Sequence, residues 1–248
     1  MTGELYLGSM GWSYGFWGLY HGLKPEEYLG EYTRRFNSVE INSTFYRIPR
    51  RETVKNWEEA APEGFVFSAK FPRGISHSPG LRSPEGKLDA FISNMGLLGS
   101  KLGPLLLQLP PSFKPAEAPA LTGFLSTLPV RHRYAVELRD RAWLEKERLD
   151  ALAEQGICVV QQEHPWLPTI DRVTGGIIYI RLEGDRRKVD GEKGVVERDA
   201  SETNRRWARR IGDYLEDHDV YCYVSKYYSG YPPHDVEQIK KELNWTRF

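Results

Sequence analysis

The chain has 248 residues, with 34 Lys and Arg balanced by 34 Asp and Glu, so its formal net charge is zero. That balance weighs against a surface coated for nucleic acid and leaves room for one local basic patch at most. The length suits one α/β barrel of about 250 residues and is too short for two generous domains, so a single domain over residues 1–248 is expected.

The first strand is predicted over 5–9, followed by the turn-rich Gly11-Trp12-Ser13-Tyr14-Gly15. Residues 25–36 read as a helix opened by Pro25, with Tyr28, Leu29, Tyr32 and Phe36 as its apolar stripe. The second strand is 39–42, Val54, Trp57 and Ala61 mark a short helix, and 65–70 is the third strand. Ser83-Pro84-Glu85 places a capping residue before an early proline, the mark of a helix start, and Leu88, Phe91, Ile92, Met95 and Leu98 supply that helix's buried face. The fourth strand, 105–109, is apolar on both faces except at Gln108, as a buried parallel strand should be. A helix over 118–128 leads to the fifth strand, 134–138, and the next helix, through Leu144, Leu149, Leu152 and Ala153, stops at Gly156. The sixth strand is predicted over 157–161. The following His164-Pro165-Trp166-Leu167-Pro168 is not helical, so one crossover is irregular. The seventh strand (177–182), a charged loop (184–200), a helix through Trp207, Ile211 and Leu215, the eighth strand (220–224) and a helix over 234–243 complete the chain. Strands alternating in this way with mostly helical connections predict an α/β fold, a TIM-type (β/α)8 barrel with one irregular crossover.

Several of these strands end in charged or amide side chains. Apolar strands rarely carry ionisable groups, because an unpaired charge in a dry core costs several kcal/mol. Alternation puts Glu40 with Asn42, Glu137 with Arg139, and Arg181 with Glu183 on shared faces. Lys70 and Gln108 can join them at the C-terminal mouth, where barrel enzymes place their chemistry. Such a mixed set suits a small polar ligand bearing phosphate, carboxylate or several hydroxyls. Glu40 and Glu137 are the acid/base candidates. Lys70 either serves as a nucleophile with a lowered pKa, anchors an anion or pairs with Glu40. Asn42, Gln108, Arg139, Arg181, Glu183, Trp12, Tyr46 and His77 are the candidate ligand-binding residues. The facing of the first, sixth and eighth strands stays open, so Ser9, Gln161 and Ser225 are weaker candidates.

The six histidines have no close metal-ligand spacing, so no metal and no cofactor are expected. Cys158 and Cys222 both lie in apolar runs and read as buried free thiols. The start Met1-Thr2-Gly3-Glu4-Leu5 has no character of a secretory leader, and no apolar stretch approaches about 18 residues. A soluble cytoplasmic protein without a membrane partner is expected. Its oligomeric state is not readable from the sequence.

Three blocks, Gly8-Ser9-Met10-Gly11-Trp12-Ser13-Tyr14, Val39-Glu40-Ile41-Asn42-Ser43-Thr44-Phe45-Tyr46-Arg47 and Gln108-Leu109-Pro110-Pro111-Ser112-Phe113, resemble the YecE-like domain of unknown function 72 family. Tyr134-Ala135-Val136-Glu137-Leu138-Arg139 with Trp143, and Tyr179-Ile180-Arg181-Leu182-Glu183-Gly184, are similar to its later blocks. The resemblance implies a TIM-type barrel and supplies no activity. The chain departs from the family pattern in having Glu183 in place of His, and Ser225-Lys226 in place of an Asn-Asn pair.

Two functions follow as expectations. The first is an enzyme, a hydrolase, lyase or isomerase using Glu acid/base chemistry on a small polar or phosphorylated ligand. The second choice is a nucleic-acid-binding protein or repair-nuclease-like hydrolase using the loop with Arg186, Arg187, Lys188 and Lys193 and the aromatics Trp12, Tyr14, Phe45 and Tyr46.

Overall fold

The computed structural model describes residues 2–245. In chain order the elements are β1 (Leu5–Met10), α1 (Tyr28–Thr33), β2 (Ser38–Ile41), α2 (Arg51–Ala60), β3 (Val66–Lys70), α3 (Arg73–Ser76), α4 (Lys87–Met95), β4 (Leu102–Gln108), α5 (Ala118–Ser126), β5 (Tyr134–Glu137), α6 (Lys146–Glu154), β6 (Gln161–Glu163), β7 (Ile178–Leu182), α7 (Ser201–Tyr214), β8 (Val220–Val224), α8 (Lys226–Ser229) and α9 (Pro232–Glu242). No helix separates β6 from β7, so the irregular crossover lies where it was expected. Alternating strands and helices with parallel pairing are the (β/α)8 architecture.

Packing divides the chain into two compact units. The first comprises the described residues up to Glu40, Gln161–Thr169 and those from Gly176 onward. Its strands run β2-β1-β8-β7-β6, all parallel. Tyr6 stacks on Tyr221 at 4.6 Å and Tyr179 packs against Tyr223 at 5.4 Å, so one sheet face is built of aromatic rings. The other face meets helices. Ser9 bonds to the Tyr32 hydroxyl of α1, and Gln161 accepts from Arg210 and Tyr214 of α7. Ser9 and Gln161, two of the three weaker candidates, therefore serve the helix layer. Pro232 and Pro233 open α9, where a missing N–H is harmless. Val236 and Ile239 of α9 and Trp207 and Ile211 of α7 are buried, and the two helices pack together. Gly8 permits the close approach of β1 and β2: a Cβ there would lie 1.8 Å from the Ser38 carbonyl oxygen.

The second unit comprises Ile41–Val160 and Ile170–Gly175. It pairs β3, β4 and β5 in parallel, with Gln108 directly beside Glu137. Its core holds Phe67, Phe71, Phe91, Leu105, Leu106 and Leu107, with the Phe71 and Phe91 rings 5.0 Å apart. Lys101 ties α2 to the start of β4. Its ammonium donates to the Glu58 and Ala61 carbonyls at 2.6 and 2.9 Å, satisfying the open end of α2.

Several element boundaries differ from expectation, among them β4, which begins at Leu102 and not at 105; three differ for a local reason. The apolar run 157–160 looks like a strand, but only Val159 bridges Val136 there, and the ladder with β7 begins at Gln161. Ser83 does not cap a helix: its hydroxyl bonds to the Pro84 carbonyl, and Gly86, at φ 72°, delays the start of α4 to Lys87. Tyr28–Thr33 is α-helical, but Pro25–Glu27 forms a separate 3-10 turn, which shortens the helix expected over 25–36. Both cysteines are buried free thiols, and burial raises the Cys222 pKa far above its ordinary value.

Candidate functional site

In the first unit, period-two alternation along β7 sends Tyr179, Arg181 and Glu183 to one face, and Ser38 and Glu40 share a face of β2. Glu40 has no solvent exposure, and Arg181 grips it as a fork, with Nε to Oε2 and Nη2 to Oε1 each at 2.9 Å. The Tyr179 hydroxyl donates to Glu40 Oε2 at 2.8 Å. The third guanidinium nitrogen, Nη1, ion-pairs with Glu183, while Nη2 also reaches the Met10 sulfur at 3.2 Å. Burial, then the Glu40 carboxylate, push the Tyr179 phenol well above its ordinary pKa, so Tyr179 stays a neutral donor. Beside it, Tyr223 and Ser38 join hydroxyls at 2.7 Å, and Tyr32 donates to the Ser38 carbonyl at 3.0 Å. Trp12 is half-buried in the turn after β1, where its carbonyl takes the Tyr20 hydroxyl at 2.6 Å.

In the second unit, Glu137 at the end of β5 is likewise wholly buried. Gln108 Nε2 lies 3.1 Å from both carboxylate oxygens, and Arg139 Nε pairs with Oε1. The Arg139 side chain keeps 18% of its surface exposed. Lys70 ends β3 with its Nζ 4.0 Å from the centre of the Phe45 ring. Phe45 meets the His77 ring at 5.2 Å and the Tyr46 ring at 5.3 Å, both edge-on. Asn42 is half-buried and leads into the 3-10 turn Ser43–Phe45, whose Phe45 N–H bonds to the Asn42 carbonyl. Burial, then Lys70, Arg73 and Arg139, hold the His77 imidazole below its ordinary pKa.

The predicted candidates thus gather as Glu40, Arg181 and Glu183 in one unit and as Lys70, His77, Gln108, Glu137 and Arg139, with Tyr46 beside Phe45, in the other. Sequence reasoning passed over Tyr179, Ser38 and Arg73. Counting back two residues from Arg181 and from Glu40 would have found the first two, whereas Arg73 is brought to His77 only by the short helix α3. Glu183, where the family pattern carries His, supplies a carboxylate to Arg181. Ser225 caps α8, accepting from the Tyr227 N–H at 3.2 Å, and Lys226 pairs with Glu192 at 2.6 Å. Among the described residues, no group of three or more His, Cys, Asp and Glu could hold a metal ion, and no helix is long and apolar enough to cross a membrane.

Residues 6–247 match the family model described as "Protein of unknown function DUF72". The chain belongs to this family. It is 37% identical over 153 residues to the UPF0759 protein YecE of Escherichia coli K12, covering 62% of this chain and 55% of that protein. It is 30% identical over 120 residues to the UPF0759 protein YunF of Bacillus subtilis, covering 44% and 41%. The matched part thus spans about half the length of those relatives. A crystal structure of a DUF72 family protein from Thermotoga maritima superposes with a TM-score of 0.82 at 23% identity, over 97% of this chain and 99% of that one. The D-psicose 3-epimerase structure determined in the presence of D-fructose shares the fold at a TM-score of 0.53 and 12% identity, over 96% and 95%. This DUF72 chain is therefore an α/β protein with the TIM-type barrel fold.

Proposed function

We propose that this DUF72 protein is an enzyme that binds a small polar or anionic ligand at the C-terminal ends of its strands. One observation carries the reading: in each unit a wholly buried carboxylate anchors a cation at a strand end, and one charged group of the cluster, Glu183 in the first unit and Arg139 in the second, stays partly exposed. Glu40 holds Arg181, with Glu183 outermost and 14% exposed. Glu137 holds Arg139, which is 18% exposed. Buried ion pairs seldom improve stability over apolar packing of the same volume. What they supply is a rigid cation with its geometry fixed before a ligand arrives. Strand C-termini are also where barrels of this fold carry their chemistry.

In this reading Glu40, gripped through both oxygens, and Tyr179 orient Arg181. Glu137 and Gln108 do the same for Arg139, and Lys70, Asn42 and Tyr46 of that second unit contact the ligand. The nucleic-acid reading finds less support. The loop over 185–197 sets four basic residues against four acidic ones. Arg187 is bonded to Asp185 and Lys193 to Glu197 at 2.8 Å, so little charge is left for phosphates.

The test is a thermal-shift screen of sugar phosphates, carboxylates and polyols at low ionic strength, repeated on Arg139→Ala and Glu183→Gln. A ligand that raises the wild-type midpoint but neither variant's is the expected result, with the unliganded Glu183→Gln melt close to wild type and the Arg139→Ala melt lower, because that change strands the buried Glu137. Variants that melt far lower while no compound shifts the wild type would make these charges structural.

A further inference from the structure

The strand ends of the second unit gather more positive than negative charge. Lys70 closes β3, Arg73 opens α3, His77 follows α3, and Arg139 lies just past β5, where Glu137 is its carboxylate partner. Arg73 is exposed and makes no ion pair among the described residues. Among the described residues the charges acting on the His77 imidazole are all cations, Lys70 from β3, Arg73 from α3 and Arg139 from beyond β5, and the Phe45 ring packs edge-on against it. Ser76 Oγ lies 3.0 Å from His77 Nδ1 and fixes the ring, leaving Nε2 without a protein partner among the described residues. Lys70 Nζ sits over Phe45, and Tyr46 next to it is 85% exposed.

Resting on the ligand reading above, we propose that Lys70, Arg73, His77 and Arg139 form a subsite for the phosphoryl group of a phosphorylated small molecule. The exposed Tyr46 ring lies beside the ligand's body, and the His77 imidazole takes a proton from solvent as the dianion binds. The physical reason is cancellation of charge. The burial that disfavours imidazolium persists in the complex, but the field of three neighbouring cations is offset by two negative charges. Protonation and anion binding then favour each other, so affinity must rise as pH falls through the His77 titration.

Inorganic sulfate is the probe, because it keeps its double charge throughout this pH range while phosphate does not. Calorimetric titration of the full chain at low ionic strength should give sulfate binding at least about threefold tighter near about pH 6 than near about pH 8. His77→Gln should still bind sulfate, with that pH dependence gone. In parallel, NMR titration of the wild-type imidazole should show its pKa rising when sulfate is added. This second readout needs no variant to fold. Sulfate binding that Arg139→Ala weakens but that is equal at both pH values overturns the proton coupling and leaves the broader reading standing. No sulfate binding at either pH overturns the phosphoryl subsite, and the screen with Glu183→Gln then judges the broader reading alone.

Discussion

Asp235 sits at 1% exposure in the first turn of α9, accepting from Ser229 Oγ and from Asn204 Nδ2, the latter at 3.0 Å. Burial outweighs those hydrogen bonds and the nearby His234 and Arg198, and pushes its pKa up to about 6. The folded state therefore holds this proton more tightly than the unfolded chain does. The resulting stabilisation is complete below the ordinary Asp value, near about pH 4, and is lost as pH rises through about 6. A shift of about two units corresponds to roughly 3 kcal/mol. Asp235→Asn removes the titration. Urea unfolding at about pH 4.5 and about pH 7 should show the variant gaining on wild type at the higher pH by an amount of that order. A difference that does not change with pH would mean the carboxyl titrates normally. The same logic of charge at close quarters governs the strand ends. There Glu40 and Arg181, each nearly without exposure, are a pair whose separate removal leaves the other group stranded.

Among the elements, β1 and β2 pair through Gly8 and Ser38. A Cβ on Gly8 would stand only 1.8 Å from the Ser38 carbonyl oxygen, so Gly8→Ala must push the strands apart or twist the ladder. Loss of soluble expression, or a circular-dichroism midpoint lowered by ten degrees or more in order of magnitude, is expected. A variant melting like wild type would show that the strands separate at little cost. Strands with continuous apolar runs were legible in the sequence: β7, β8 and β3 fall within a residue of expectation, because burial on both faces leaves an unmistakable pattern. The misreadings came where short-range signals competed. Ile157-Cys158-Val159-Val160 has strand composition but only one bridge, and β6 itself, Gln161-Gln162-Glu163, is polar. Ser83 has the chemistry of a cap, but Gly86 in the left-handed region sets the actual start of α4. Short helices such as α3, which brings Arg73 and His77 together, leave too few residues for any periodicity to show.

For the whole molecule, the parallel β/α order, the irregular crossover and family membership were all readable in advance, since each rests on patterns spread along the chain. The partner of each strand-end charge was only half readable. Period two gives the facing of Glu137 and Arg139, but the strand register decides that Gln108 is the amide beside them. The central claim is that these charges are kept for a ligand and not for the fold. It is tested most directly by replacing one whole cluster, so that no buried group is left stranded, in the triple variant Gln108→Leu, Glu137→Met, Arg139→Met. Urea unfolding of this variant against wild type should give equal stability or a gain of about 1–4 kcal/mol, with ligand-induced stabilisation abolished. A loss of more than about 3 kcal/mol would mean that the cluster holds the barrel together, and would contradict the account.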